Sequence, residues 1–213
     1  MQLTFSVDNY RKITIDIPKY DGNIHPDEWI NEIQKYHTYG GYYELSNIAI
    51  SLVSSTISLP TGINNLEELR NALKEDISFT VFKHTNKRLL QSLRFYPERK
   101  GGNNSKFISE FRKLCYNAEI NDIEEQKKYF YQSLPSSKCY DYFLTEFIKR
   151  KEKIKSMNDL IKEFEGIVTD ESNLIRNESI IAIKHVTTGK YLSSIEDLHY
   201  TTGSKTQLVR FIL

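Results

Sequence analysis

This chain has little cysteine, no charge excess of either sign and no long hydrophobic run. Its two cysteines, Cys115 and Cys139, do not form a C-x-x-C pair, and two thiols alone cannot complete a zinc knuckle or ribbon. Both fall on apolar helical faces and read as buried free thiols of a reducing compartment. Net charge is +1, from 29 basic and 28 acidic residues. A dedicated nucleic-acid binder is usually far more basic, so any such role would rest on a local patch. No apolar stretch approaches the ~18–20 residues needed to span a bilayer. The opening MQLTFSVDNYRK lacks a basic region followed by an apolar one, so no secretory leader is expected. A soluble protein of the cytoplasm or nucleus is the reading.

Chemical motifs are missing as well. His25, His37, His84, His185 and His199 are scattered, and no two stand four apart on one predicted helix. There is no H-E-x-x-H, no G-x-S-x-G, no phosphate-binding loop and no G-x-G-x-x-G. Gly101-Gly102 follows no predicted strand and reads as a hinge. The acidic pair Glu124-Glu125 sits in a first helical turn, where the helix dipole accounts for it. No nucleophile, base or metal set can be assembled, so catalysis, metal and cofactor are not expected.

What the chain does have is helical periodicity at 213 residues, with 39% hydrophobic and 12% aromatic content, enough for a substantial core. Residues 2–7 and 12–17 alternate apolar and polar and predict an N-terminal β-hairpin or arm over 1–17. Tyr20-Asp21-Gly22 is turn chemistry, Pro26 opens a helix, and Asp27 and Glu28 suit its positive end. That helix presents Trp29, Ile30, Ile33 and Tyr36. Trp29, the only tryptophan, reads as a core anchor rather than a ligand platform. A second helix is predicted over 44–57. A third carries Leu66, Leu69, Leu73 and Ile77, with Asn64 or Asn65 as its cap. A fourth, capped by Ser78, carries Phe79, Phe82, Leu89, Leu90 and Leu93. Pro97 and the polar run to Asn104 predict a hinge between two helical lobes.

The most regular pattern follows, over 107–135. Phe107, Phe111, Leu114, Cys115 and Ala118 share one helical face. After Ile120-Asn121-Asp122, a second short helix carries Ile123, Phe130 and Leu134 and stops at Pro135. A further helix holds Cys139, Tyr142, Phe143, Phe147 and Ile148. It leads into a basic run, Lys149, Arg150, Lys151, Lys153 and Lys155. That run reads as a solvated helix end, with RNA contact as the alternative. The last helix, over 157–169, turns Leu160, Ile161, Phe164, Ile167 and Val168 inward. Beyond Asp170 the helical period is lost. Residues 180–186, 191–192 and 208–212 read as strands, and a domain boundary is expected near 170–179.

Tyr20-Asp21-Gly22 with Pro26 and Trp29, then Phe107-Ile108-Ser109-Glu110-Phe111, Leu114, Ala118 and Ser133-Leu134-Pro135, resemble the capsid region of gypsy-type retrotransposon Gag proteins over roughly 18–170. The resemblance implies an N-terminal lobe over 18–96 and a C-terminal lobe over 104–170. Trp29 would hold the first lobe, and Phe107, Phe111, Leu114, Phe130 and Leu134 the core of the second. It also implies a non-catalytic scaffold that forms homo-oligomers. Ile183–Ser194, with Tyr200-Thr201-Thr202-Gly203-Ser204, is similar to the opening repeat of a MIR module. MIR modules are β-trefoils of inositol-trisphosphate and ryanodine receptors and of protein mannosyltransferases. The likeness covers 178–213, about one repeat of the three that close a trefoil. It implies either a truncated gene product or a piece that packs on the helical part or on another copy. It also implies a second function, binding of a glycan or inositol phosphate through Lys184, His185 and Lys190. The expected class is therefore mainly α: a two-lobed, capsid-like helical domain with an N-terminal β-hairpin and a C-terminal partial β-trefoil.

Overall fold

The computed structural model describes residues 2–8, 11–16, 18–35, 42–135, 141–174, 184, 186–189, 191–199 and 207–212. Within these the protein is mainly helical, with eight α-helices. The chain divides into two compact units, Met1–Val168 and Thr169–Leu213. Tyr36, His37, Cys139, His185 and Lys190, and most of the strand expected over 180–186, lie outside the described residues.

The first unit opens with Gln2–Asp8 (β1) paired antiparallel to Arg11–Asp16 (β2), Gln2 opposite Asp16. Pro26–Lys35 (α1) begins as its sequence dictates. Proline takes the first position, and Asp27 and Glu28 lie in the first turn. Its buried face of Trp29, Ile30 and Ile33 packs with Leu45, Ala49 and Leu52 and with Leu66, Leu69 and Leu73. These come from Tyr42–Ser51 (α2), the turn after it, and Leu66–Glu75 (α3). The expected extension of α2 to Ile57 does not form. Tyr20 N–H donates to Leu52 O at 3.0 Å and Ser54 N–H donates to Tyr20 O at 2.8 Å, so the chain after Ser51 is drawn into a bridge with Tyr20. Asn65 caps α3 with its side-chain oxygen, which accepts the Glu68 backbone N–H at 2.8 Å, while Asn65 Nδ2 donates to the Glu68 carboxylate.

Ile77–Ser92 (α4) is capped by Asp76, which accepts the Ser78 amide at 2.8 Å, rather than by Ser78 itself. A second core follows. It gathers Leu90 and Phe95 with Phe107, Phe111, Leu114 and Cys115 of Asn104–Asn117 (α5) and Phe130 of Ile123–Ser133 (α6). Phe143 and Phe147 of Asp141–Arg150 (α7), and Leu160, Phe164 and Ile167 of Met157–Ser172 (α8), complete it. Leu90 and Phe95, read from sequence with the first lobe, thus pack in the second core.

Three residues expected at core positions are exposed. Ile77, Leu89 and Ile148 are 73%, 51% and 57% exposed. Helix geometry gives the reason, because consecutive residues point about 100° apart. Leu90 and Phe147 take the inward positions, so Leu89 and Ile148 turn out. Ile77 opens α4 beyond the Asp76 break and is not on the face of α3.

The polar segment after Pro97, expected as a hinge, is a closed turn. Glu98–Lys100 forms one turn of 3-10 helix, and the Lys100 and Gly102 amides both donate to Pro97 O. A side chain at Gly102 would place Cβ 1.6 Å from the Tyr96 carbonyl oxygen, so the chain can close on itself only at glycine.

In the second unit, Tyr191–His199 (β3) pairs antiparallel with Gln207–Ile212 (β4), with a register shift between Ser194 and His199.

Candidate functional site

The residues expected to carry the two lobes are buried in two separate clusters. Trp29 has no exposed surface. Its ring lies 5.2 Å from Tyr20, and its indole N–H donates to Pro18 O at 2.9 Å. Phe107, Phe111, Leu114, Phe130 and Leu134 all lie in the second cluster. Phe130 is its hub, with ring centroids 5.0–5.6 Å from Phe107, Phe111, Phe147 and Phe164. Cys115 is sealed in the same cluster, and burial pushes its thiol up to about 12, so it is protonated and inert at neutral pH.

The seam between the clusters is polar, and sequence reasoning did not find it. His25 is 1% exposed. Its ring lies edge-on to Phe79 of α4 at 5.0 Å and against Tyr116 of α5 at 4.6 Å. Nδ1 accepts the Asp27 amide at 3.1 Å, so the ring itself satisfies an orphan donor at the start of α1. That leaves the proton of the neutral ring on Nε2, which stands 3.8 Å from a Glu119 carboxylate oxygen. Glu119 also receives Lys83 Nζ of α4 at 3.0 Å and lies 3.8 Å from Lys74 Nζ of α3. Lys74 in turn reaches Asp27 at 2.8 Å. One carboxylate just beyond α5 thereby faces Lys74 of α3, Lys83 of α4 and His25 directly ahead of α1.

Glu119 has a φ of +53°, the one positive φ among described non-glycine residues. Such a conformation costs about 1–2 kcal/mol, and glycine is the usual occupant after a helix end. The helix end itself is ordinary: the Ile120 amide donates to Cys115 O at 2.9 Å. The contacts of the Glu119 carboxylate explain why a side chain stands where glycine would relieve strain. The available sequence signal was weak. It amounted to a non-glycine residue directly after a helix, ahead of the Asp122 cap of α6.

This seam carries a pH dependence. Burial is the main cause that holds His25 below its ordinary value near 6.5; Asp27 opposes it, Lys74 adds to it and Glu119 opposes it. The unfolded chain therefore takes up a proton before the folded one does. Stability from this site is complete above about pH 6.5 and falls as pH drops from there toward the folded value. We expect the melting temperature to decline over that window in the native chain. His25→Asn, which keeps an acceptor near the helix start, should decline less over the same window. Parallel slopes by circular dichroism would remove His25 as the cause.

A groove of about 550 Å³ runs beside the seam, lined by Ile24, Glu28, Phe82, Asn86, Glu110 and Asn117 among others. The buried Asn117 amide donates to Asn86 Oδ1 at 3.1 Å, and the Asn86 amide donates to Phe82 O at 2.9 Å. This ladder ties α5 to α4.

The basic run is not a bare cationic stripe. Lys149 Nζ bonds Glu146 at 2.6 Å, and Arg150 lies 3.6 Å from Glu146 and 3.8 Å from Glu163. Lys151 and Lys153 occupy a 3-10 turn after α7, and the Lys155 amide donates to Asp159. Lys151 joins Lys127, Lys128, Glu124, Tyr131, Phe147 and Ile148 around a second groove, of about 360 Å³. In the other unit Lys184 is exposed. Among the described residues no group of three His, Cys, Asp or Glu could hold a metal ion, and no helix is long and apolar enough to cross a membrane. Comparison with protein-family models, with curated proteins and with solved structures finds no match for this chain.

Proposed function

We propose that this chain is a self-associating helical scaffold of the capsid-like kind, without catalytic activity. The observation that carries the proposal is an exposed apolar face on a helix that is anchored in the interior from its other side. α4 carries Leu90 into the second core and Phe79 against His25 at the seam, yet keeps Ile77 and Val81 73% and 56% exposed. These two side chains are four residues apart and so share one helical face. Their burial is worth about 2–3 kcal/mol per copy. Association costs at least ~4 kcal/mol in lost freedom. A single contact of this kind is weak, and many repeated contacts between rigid copies make it count. The spacing of Tyr20-Asp21-Gly22, Trp29, Phe107, Phe111 and Leu134 also supports the reading, since it resembles that of Gag capsid lobes. In this reading β1 and β2 form an N-terminal arm. The sealed position of His25, with Nδ1 committed to the helix start, agrees with a structural rather than a chemical role.

The test is mass by size-exclusion chromatography with light scattering across a concentration series. The native chain should grow in mass with concentration. Ile77→Asp with Val81→Asp should hold it at monomer mass while leaving the helical circular dichroism unchanged. A native chain that stays monomeric at the highest concentration counts against the proposal.

A second, ligand-binding reading concerns 178–213, where the antiparallel β3–β4 pair supports a MIR-like segment. Lys184 would be its described ligand contact.

A further inference from the structure

The groove between α6 and α7 joins two features that rarely occur together. One is a buried cation. The Lys127 side chain is 4% exposed, and its described ion-pair partner is Glu124, one turn earlier at 2.7 Å, whose own side chain is 63% exposed. An ammonium has three donors, and removing it from water is costly unless it is fully paired. One solvent-facing carboxylate answers one donor and, as an exposed group, compensates the charge only in part. Lys128 and Lys151 line the same groove, and neither has an ion pair among the described residues. With Glu124 the lining carries a net charge of two positive units (three lysines, one glutamate).

The other feature is an apolar wall. Tyr131 lies 6.3 Å from Phe147, and the neighbouring Ile148 is 57% exposed. An aliphatic side chain beside three ammonium groups is poorly used by water and poorly used by a simple anion.

We propose that this groove docks an acidic peptide segment of a partner protein, with a bulky apolar side chain seated on Tyr131 and Ile148 and its carboxylates on Lys127, Lys128 and Lys151. Nucleic acid fits less well. A phosphate chain is held by cations spaced along its path. Here the adjoining Lys149 and Arg150 are answered by Glu146 and Glu163, which interrupts the row of cations along the chain. The arrangement gives specificity through both ends of the partner: apolar contact for affinity, charge for register and encounter rate. It does not depend on whether the chain associates with itself.

Fluorescence anisotropy on the full chain tests this with four labelled probes. The first is a synthetic peptide of aspartates and glutamates around a central leucine-phenylalanine pair. The second replaces that pair with serines. The third replaces the acids with asparagine and glutamine. The fourth is oligouridine RNA. We expect the first to bind and the second and third to bind at least about tenfold more weakly, the scale of one lost apolar contact or charge pair. Lys151→Glu and Ile148→Asp, both at exposed positions that preserve the fold, should each weaken the first by a similar factor. Lys128→Glu provides a third variant, with circular dichroism as the control for folding. Equal binding of the serine peptide, tighter binding of the RNA, or no binding of the first peptide overturns the proposal.

Discussion

Trp29→Ala should cost about 3–5 kcal/mol, as expected for truncating a fully buried large aromatic side chain. A domain of this kind has only ~5–15 kcal/mol in total, so the variant loses a large share of it. Two effects act together. The indole fills the centre of the first core against Tyr20, Ile30 and Leu69, and alanine leaves a cavity there. Its N–H also ties α1 to Pro18 O, which would lose that donor. Trp29→Phe separates the two: it retains most of the packing, abandons the hydrogen bond and should cost about 1–3 kcal/mol. Urea unfolding followed by far-ultraviolet circular dichroism measures both. A cost below about 1 kcal/mol for the alanine variant would show that Trp29 does not anchor this core.

Phe130→Ala is the matching prediction for the second core, again about 3–5 kcal/mol. Four ring contacts are lost at once, and their individual values of ~0.5–1.5 kcal/mol do not add simply, because Phe107 also touches Phe111 and Phe164. Trp29 makes this variant informative, as the only tryptophan and a fluorescent reporter of the other core. His25, Glu119, Lys74 and Lys83 tie the two cores across the seam, and α4 carries both Phe79 of the seam and Leu90 of the second core. The fluorescence midpoint should therefore fall together with the circular dichroism midpoint in Phe130→Ala. A fluorescence midpoint that stays in place while helicity is partly lost would show that the cores unfold independently and that the seam does not couple them.

Much of the framework was legible in the residues. The three- and four-residue spacing placed the faces of α1, α3, α5, α6 and α8, because burying one stripe of a helix leaves a periodic trace. Of Asn64 and Asn65, the two residues expected to cap α3, Asn65 does so. The errors fell where two apolar residues compete for one position. Leu89 and Leu90, or Phe147 and Ile148, are equivalent to a pattern count, and only the packed helix determines which of them turns out. α2 stopped short for a related reason, since the backbone of Tyr20 captures Leu52 and Ser54 from far away in sequence.

The seam and the lysine groove were not legible, although every residue in them was visible. His25 read as one of five scattered histidines, and neither Glu119 nor Lys127 stood out from the residues around it. Each acquires its character from partners distant in the chain: Phe79, Tyr116 and Glu119 for the first, Lys74 and Lys83 for the second, and the α7 wall for the third.

By itself the sequence determined that this protein is mainly helical and where its apolar faces lie, because helix formation and amphipathic burial depend on local spacing. Only the tertiary structure decided that Leu90 and Phe95 join the second core, that a buried histidine and a strained glutamate meet between the two cores, and that Lys127 is sunk beside an apolar wall. Those outcomes depend on which surfaces exclude water from one another, and the cost of an uncompensated charge or an unfilled groove exists only once they have done so.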